Sequence, residues 1–327
     1  MPREVLQDTG AGMGIDLHEN AEKALRMVRE AKDITYDTEG TGLDWRIHSP
    51  IGYVIGAPEG NRPLQAADVV YVPVRHGGGG NLLGARPMTS PTEGFQLHPF
   101  EVELAKAFDE RNRVNTTGRV IGHHTKFDAH MSRNAGIMLG RRMACTQNMA
   151  AMVDEYAKKF SLEMVAEREG VTAKKGQGMY EHLAHLFGGP AAKDQMGNYW
   201  RTSGTDPVAY DYATGDGLST WEVYWSLLAK IKEQEMSFIC NMENDLIWTI
   251  FRMERTGIAV DLNRVDELRS ATEAKISEML SEFPIGFNTR SPLSMKSAME
   301  AAGHTNWPKT PKGAPSFTEA WLKTHET

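Results

Sequence analysis

Asp37 and Glu39 stand two residues apart in Asp37-Thr38-Glu39, at the end of the β-type stretch DITYD over 33–37. In an extended chain, side chains at i and i+2 share a face, so both carboxylates point the same way. Adjacent anions repel unless something positive lies between them, and a hard divalent cation with oxygen ligands is the usual answer. Asp128 closes a second segment, Val120-Ile121-Gly122-His123-His124-Thr125-Lys126-Phe127-Asp128, just past another strand-like run. Tyr212 and Asp216, in Tyr212-Ala213-Thr214-Gly215-Asp216, are four apart in a helical run, which puts phenol and carboxylate on one face. Each feature alone has a plainer explanation: a chance D-x-E, a core tyrosine, a solvated helix carboxylate. Their order along one chain is what points to metal-assisted chemistry.

The elements that must hold these residues follow from periodicity. Asn20 to Ala31 is amphipathic, with Ala21, Ala24, Leu25 and Val28 at helical spacing. Short β segments are expected at 33–37, 51–55 (IGYVI) and 69–74 (VVYVPV), separated by turn-rich stretches. The Gly-rich stretch from His76 to His98, with GGGGN at its start, predicts a long mobile loop. A helix over 99–111 leads to a strand at 119–122, and helical patterns dominate after Lys126, most clearly from Pro207 to Glu235. Strands first and helices afterwards indicate a mixed α/β or α+β layer fold. Near Met236 the composition shifts to long helical runs, Ser237–Arg255 and Asn263–Phe283, joined by GIAVD. The expected divisions are therefore 1–30 (lead and first helix), 31–236 and 237–327.

The 327 residues carry 36 Lys+Arg against 43 Asp+Glu, a net charge of −7, which argues against a protein that coats nucleic acid by bulk charge. It leaves room for an enzyme that grips a few nucleotides. No apolar run reaches the ~20 residues of a membrane helix, and the N-terminus lacks the apolar core of a signal peptide. Two cysteines, Cys145 and Cys240, make no CxxC pair, so a reducing cytoplasm is the expected compartment.

The order D-x-E, then Phe-Asp after a strand, then Y-x3-D on a helix, resembles the three motifs of the DEDDy 3′–5′ exonucleases. The flanks narrow the resemblance to the proofreading region of family A DNA polymerases, the DNA polymerase I type. Tyr36-Asp37-Thr38-Glu39-Gly40-Thr41-Gly42-Leu43-Asp44 looks like that family's first motif, and Val70-Tyr71-Val72-Pro73-Val74-Arg75-His76 like its third-strand segment. Glu243 to Asp261 (ENDLIWTIFRMERTGIAVD) resembles the opening of the polymerase module. Phe287-Asn288, Ser291-Pro292 and Lys309-Thr310-Pro311-Lys312-Gly313-Ala314-Pro315-Ser316 resemble its thumb. The resemblance covers about 31–327 and is weakest at 77–115. Palm and fingers would follow Thr327, so no polymerase active site is expected within these residues.

The resemblance implies an RNase H-like mixed sheet flanked by helices, followed by a helical thumb-like segment. It also implies hydrolysis of DNA from the 3′ end to nucleoside monophosphates by two divalent ions, Mg²⁺ or Mn²⁺, about 3.5–4 Å apart. Asp37, Glu39 and Asp216 would hold one ion, Asp37 would share the second, and Asp128 would complete the acidic set through a water. Tyr212 would orient the attacking water, since a phenol of ordinary pKa about 10 is a poor base at neutral pH. Asp211 takes the position where the sister DEDDh class has its histidine. Leu43 would wedge against the terminal base, with an ordinary packed leucine as the alternative. Lys309 and Lys312 would touch a duplex backbone or simply sit in a solvated loop. The implied partners are a single-stranded 3′ end or primer-template DNA, and a separate polymerase half if the enzyme is naturally split, in a bacterium or a phage-infected host. A silent scaffold that binds DNA or a polymerase half, and a stand-alone RNase D-like nuclease, are the rival readings.

Four features stand apart. The family's second motif usually has Asn where this chain has His124. His123, His124, Asp128 and His130 form a histidine-rich cluster, but no further ligand completes a tetrahedral zinc set. GAGMG at 10–14 and GGGG at 77–80 lack the context of a dinucleotide fingerprint or a phosphate loop. Gly215 and Gly217 loosen the helix that carries Asp216, at roughly 1 kcal/mol each relative to Ala, with no reason visible in the sequence. Downstream, Phe238, Met242, Leu246, Ile250 and Met253 form an apolar stripe that either receives a partner or packs back on the preceding domain.

Overall fold

A computed structural model describes residues 14–60, 62–172 and 176–324. GAGMG, apart from Gly14, lies outside the described residues. The strands are β1 (Ile34–Gly40), β2 (Pro50–Gly56), β3 (Val69–Pro73), β4 (Val120–Gly122) and β5 (Met143–Cys145). They make one five-stranded sheet in the order β3-β2-β1-β4-β5. β2 runs antiparallel to both β1 and β3, whereas β1, β4 and β5 are parallel. This is a mixed α/β fold of RNase H-like type.

The helices of this part are α1 (Leu17–Glu30), α2 (Pro99–Val114), α3 (Thr125–Asn134), α4 (Thr146–Val153), α5 (Leu162–Glu169), α6 (Gly176–Phe187), α7 (Pro207–Glu233) and α8 (Ser237–Thr256), with a 3-10 helix at Lys193–Arg201. α1 starts earlier than its periodicity suggests because Asp16 accepts the His18 and Glu19 backbone N–H groups. α7 starts on Pro207 behind Asp206, whose side chain caps Val208 and Ala209. β5 was not legible, since a three-residue strand is too short to show a period of two.

Alternation along β1 divides the core. Ile34 and Tyr36 pack on one side with α1 and α2, where the Tyr36 ring meets Phe108 edge-on at 5.5 Å. Thr35, Asp37 and Glu39 face the other side, which α7 crosses. Gly217 explains itself there. A Cβ at Gly217 would lie 2.8 Å from Val69 and 2.9 Å from Val54, and Thr35 Oγ1 donates to the Gly217 carbonyl at 3.0 Å. The glycine's propensity cost is offset by closer contact between helix and sheet. Nothing in the structure explains Gly215.

The Gly-rich stretch after β3 is not a free tip. Gly77 N–H donates to Trp200 O at 2.7 Å, Gly78 N–H to Thr202 O at 3.3 Å, and Gly79 O accepts from Gly204 N–H at 2.9 Å. Side chains at Gly77 or Gly78 would collide with this neighbouring segment. The glycines serve close backbone approach rather than looseness. Beneath them Arg75 forms a buried ion pair with Glu101 of α2.

The chain divides into two compact units, Met1–Thr256 and Gly257–Thr327. Both divisions expected from sequence are displaced. α1 belongs to the first unit, where Ala21, Ala24, Met27 and Val28 are buried in the same core as Phe108. The later division falls at 256 instead of 236, because α8 packs on the sheet. Its Ile247 and Phe251 enter the core, and Asn244 Oδ1 accepts the Cys145 N–H of edge strand β5 at 3.1 Å. The stripe noted in the sequence is the opposite face of α8: Phe238, Met242, Leu246 and Met253 are exposed and Ile250 half-buried.

The second unit contains α9 (Leu262–Ser281), α10 (Pro292–Ala301) and α11 (Glu319–Lys323), capped by Asp261, Ser291 and Thr318. None of these helices buries a residue fully. No described helix is long and apolar enough to cross a membrane.

Candidate active site

β1 presents Asp37 and Glu39 on the face that α7 covers, and α7 brings Asp216 down beside them. One carboxylate oxygen from each of Asp37, Glu39 and Asp216 lies within 4.8 Å of the other two. Glu39 is 8% and Asp216 5% exposed, while Asp37 is half-buried and opens the group to solvent. Oxygens on opposite sides of one hard cation are about 4–5 Å apart, so this donor set fits a divalent ion. Among the described residues no other cluster of three His, Cys, Asp or Glu meets that spacing, and the histidine-rich segment does not form a site. His123 instead contacts Thr146 Oγ1 at 2.8 Å and the Phe160 carbonyl at 2.9 Å.

Asp128 lies outside the three-residue group. It sits in the first turn of α3 and accepts from Thr38 N–H at 3.0 Å and Thr38 Oγ1 at 2.7 Å. The middle residue of D-x-E thus ties α3 to β1, a role the sequence did not disclose. Asp128 Oδ2 is buried with no hydrogen-bond partner among the described residues. Burial, followed by the charge of Asp37, holds this carboxyl well above the usual range, against the pull of the two Thr38 bonds. A cation nearby would relieve that cost.

Tyr212, one turn before Asp216, is buried, with its ring 5.8 Å from that of Tyr199. Tyr199 donates its hydroxyl to Ala209 O at 3.1 Å. Tyr71 lies across Gly52, the residue paired with Glu39 in the ladder, and any Cβ at 52 would collide with the Tyr71 ring. The Tyr71 hydroxyl is 2.6 Å from His76 Nε2, and His76 Nδ1 is 3.1 Å from the Thr202 carbonyl. Burial pushes His76 down to about 4, so it is neutral at pH 7. The carbonyl then selects the Nδ1–H tautomer, which leaves Nε2 to accept from Tyr71. Sequence reasoning took Tyr71 and His76 only as part of a resemblance; the signal was a Tyr and a His flanking one strand end.

Leu43 is 87% exposed in the 41–49 loop beside β1, so the packed-leucine alternative fails. His124 is exposed at the N-cap of α3 with φ 71°, a left-handed conformation in which Asn, Asp and His are enriched. That backbone suits His124 and equally the Asn that the resemblance would place here. His124 is exposed, whereas Asp128 is buried. Asp211 is exposed on α7. Lys309 and Lys312 are exposed in the second unit, on a turn closed by Thr310 N–H to Ala314 O at 2.8 Å.

No family model matches the chain. It is 31% identical over 307 residues to "DNA polymerase DpoZ" of Acinetobacter phage SH-Ab 15497, covering 89% of this chain and 43% of that protein. It is 29% identical over 232 residues to "DNA polymerase DpoZ" of Salmonella phage PMBT28, covering 70% of this chain and 31% of that protein. The chain is related to phage DNA polymerases. It spans less than half the length of these two relatives. Among solved structures, the POL domain of Pol1 from M. smegmatis, in complex with DNA primer-template and dNTP, superposes with a TM-score of 0.56 at 16% identity. That match covers 95% of this chain and 44% of the other, and it concerns the fold.

Proposed function

We propose that the first unit is a metal-dependent 3′–5′ exonuclease of the DEDDy type that removes nucleotides from DNA 3′ ends, in the service of DNA replication. The convergence of Asp37, Glu39 and Asp216 carries this reading. These three would hold one divalent cation, and Asp37, the most open of them, would share a second. Such cations lower the pKa of a bound water and offset charge on the phosphate and the departing 3′ oxygen.

The chain's own residues do the rest. Thr38 fixes Asp128 beside the group, keeping a buried carboxyl in reserve next to the metal ligands. Tyr212 holds the attacking water through its hydroxyl, and its buried ring leaves that group few orientations. Leu43, projecting from its loop, separates the last base from its partner, which costs least where the end is already frayed. The second unit is read as part of a thumb-like segment of a family A polymerase, in which Lys309 and Lys312 would touch a duplex backbone. A polymerase half supplied as a separate chain is the corresponding partner proposal.

Stepwise shortening of a 5′-labelled single strand with Mg²⁺ or Mn²⁺, with the label retained on the shortened products and the reaction stopped by EDTA, tests the reading. A strand left intact with Mn²⁺ refutes it. Within that assay Tyr212→Phe should retain metal binding by calorimetry and lose about 10²-fold in kcat, the scale of a group that places a reacting proton. Loss of metal affinity in Tyr212→Phe would contradict its role on the water.

A further inference from the structure

The loop that carries Leu43 is clamped by its neighbour, Trp45. The Trp45 indole lies flat on the His130 imidazole, with ring centroids 4.1 Å apart and planes 4° from parallel. The Arg255 guanidinium lies 4.3 Å and that of Arg46 4.5 Å from the centre of the same indole. Asn134 Nδ2 donates to the Trp45 carbonyl at 2.6 Å. His130 Nε2 is 2.7 Å from Glu254 Oε2, and the other oxygen of Glu254 accepts from Lys126 at 2.7 Å. Arg255 donates to the His130 carbonyl and, at 2.9 Å, to Asn134 Oδ1. Loop 41–49, helix α3 and the last turn of α8 therefore meet at one indole.

Its location gives the cluster meaning. Trp45 is two residues beyond Leu43, and His130 two residues beyond Asp128. An apolar side chain as exposed as Leu43 does mechanical work on a DNA end only if its backbone is held; a loose loop would lose the contact to its own disorder. We infer that Trp45 is a specificity-determining positioning residue: stacked on His130 and under Arg255, it holds Leu43 fixed relative to Asp128 and so sets how well a paired 3′ end is opened for hydrolysis. This rests on the exonuclease reading above. Trp45 touches no reacting atom, and its effect passes through Leu43.

The test compares the full chain with Trp45→Ala, Trp45→Phe, Leu43→Ala and the double variant, on a single-stranded oligonucleotide and on a blunt duplex. Trp45→Ala should lose about tenfold in kcat/KM on the paired end, the scale of one apolar contact, and stay within about twofold on the single strand. Trp45→Phe, which keeps a ring on His130, should recover most of the loss. The double variant should be no worse than Leu43→Ala alone, since both changes remove the same contact. Equal losses on both substrates, or additive losses, overturn the inference. Hydrogen exchange over 41–49 reads the clamp without activity: faster exchange in Trp45→Ala supports it, and unchanged protection overturns it. A wild-type chain inert on both substrates refutes the exonuclease reading, whatever the exchange shows of the clamp.

Discussion

Asp216→Asn should lower nuclease turnover by about 10³-fold or more, roughly 4 kcal/mol of transition-state stabilisation, without unfolding the chain. Asparagine preserves the volume beside Glu39 and the contact of α7 with the sheet at Gly217. It removes one anionic oxygen from a set whose members lie within 4.8 Å of one another. The sign of the stability change separates this from ordinary damage. In EDTA the three carboxylates repel, so neutralising one leaves the melting temperature level or raises it. With Mg²⁺ the wild-type chain gains stability by mass action, and the variant gains less. Thermal melts with and without Mg²⁺, beside turnover on a single strand, check both arms. Wild-type turnover, or an undiminished response to Mg²⁺, would remove Asp216 from the site.

The largest expected loss of stability comes from Arg75→Met. The side chains of Arg75 and Glu101 are 3% and 0% exposed and pair directly. Glu101 also accepts from the Tyr53 hydroxyl at 2.5 Å and the His98 N–H at 2.8 Å, while Arg75 donates to Pro50 O at 2.8 Å. Removing the guanidinium strands a buried carboxylate and the Pro50 carbonyl, which costs about 3–5 kcal/mol. For a chain of this size that is a fall of roughly 10 °C in Tm. Adding Glu101→Gln should recover much of it, because the uncompensated charge is then gone. A single variant within about 1 kcal/mol of wild type in urea unfolding, or a double variant worse than the single, would contradict the assignment.

Much of this was legible in the sequence, for identifiable reasons. β1 to β3 are long enough for strand composition to show, and Asp37 and Glu39 share a face by strand geometry alone. Tyr212 and Asp216 are both buried on α7, as i,i+4 spacing requires. What stayed hidden depends on contacts distant in sequence. Composition cannot distinguish a glycine that frees the chain from one that admits a neighbour, so the Gly-rich stretch from His76 reads as a mobile loop and Gly217 as an unexplained cost. α8 has two apolar faces, and periodicity alone does not show that Cys240, Ile247 and Phe251, rather than the exposed stripe, face the core. Thr38 looked like the spacer of D-x-E, though its hydroxyl and N–H secure Asp128.

The hydrogen bond from Cys145 N–H to Asn244 bears on solubility as well as on architecture. β5 is the outer strand of the sheet beside α8, and an unpaired strand edge is a template for chain-to-chain pairing. α8 guards that edge with a side-chain acceptor and fills the adjacent core with Ile247 and Phe251. During synthesis the sheet strands all emerge before their guard, because β5 ends at Cys145 and α8 begins only at Ser237. Over that interval the nascent sheet has no α8 against β5, so that edge stays open to chain-to-chain pairing until α8 arrives.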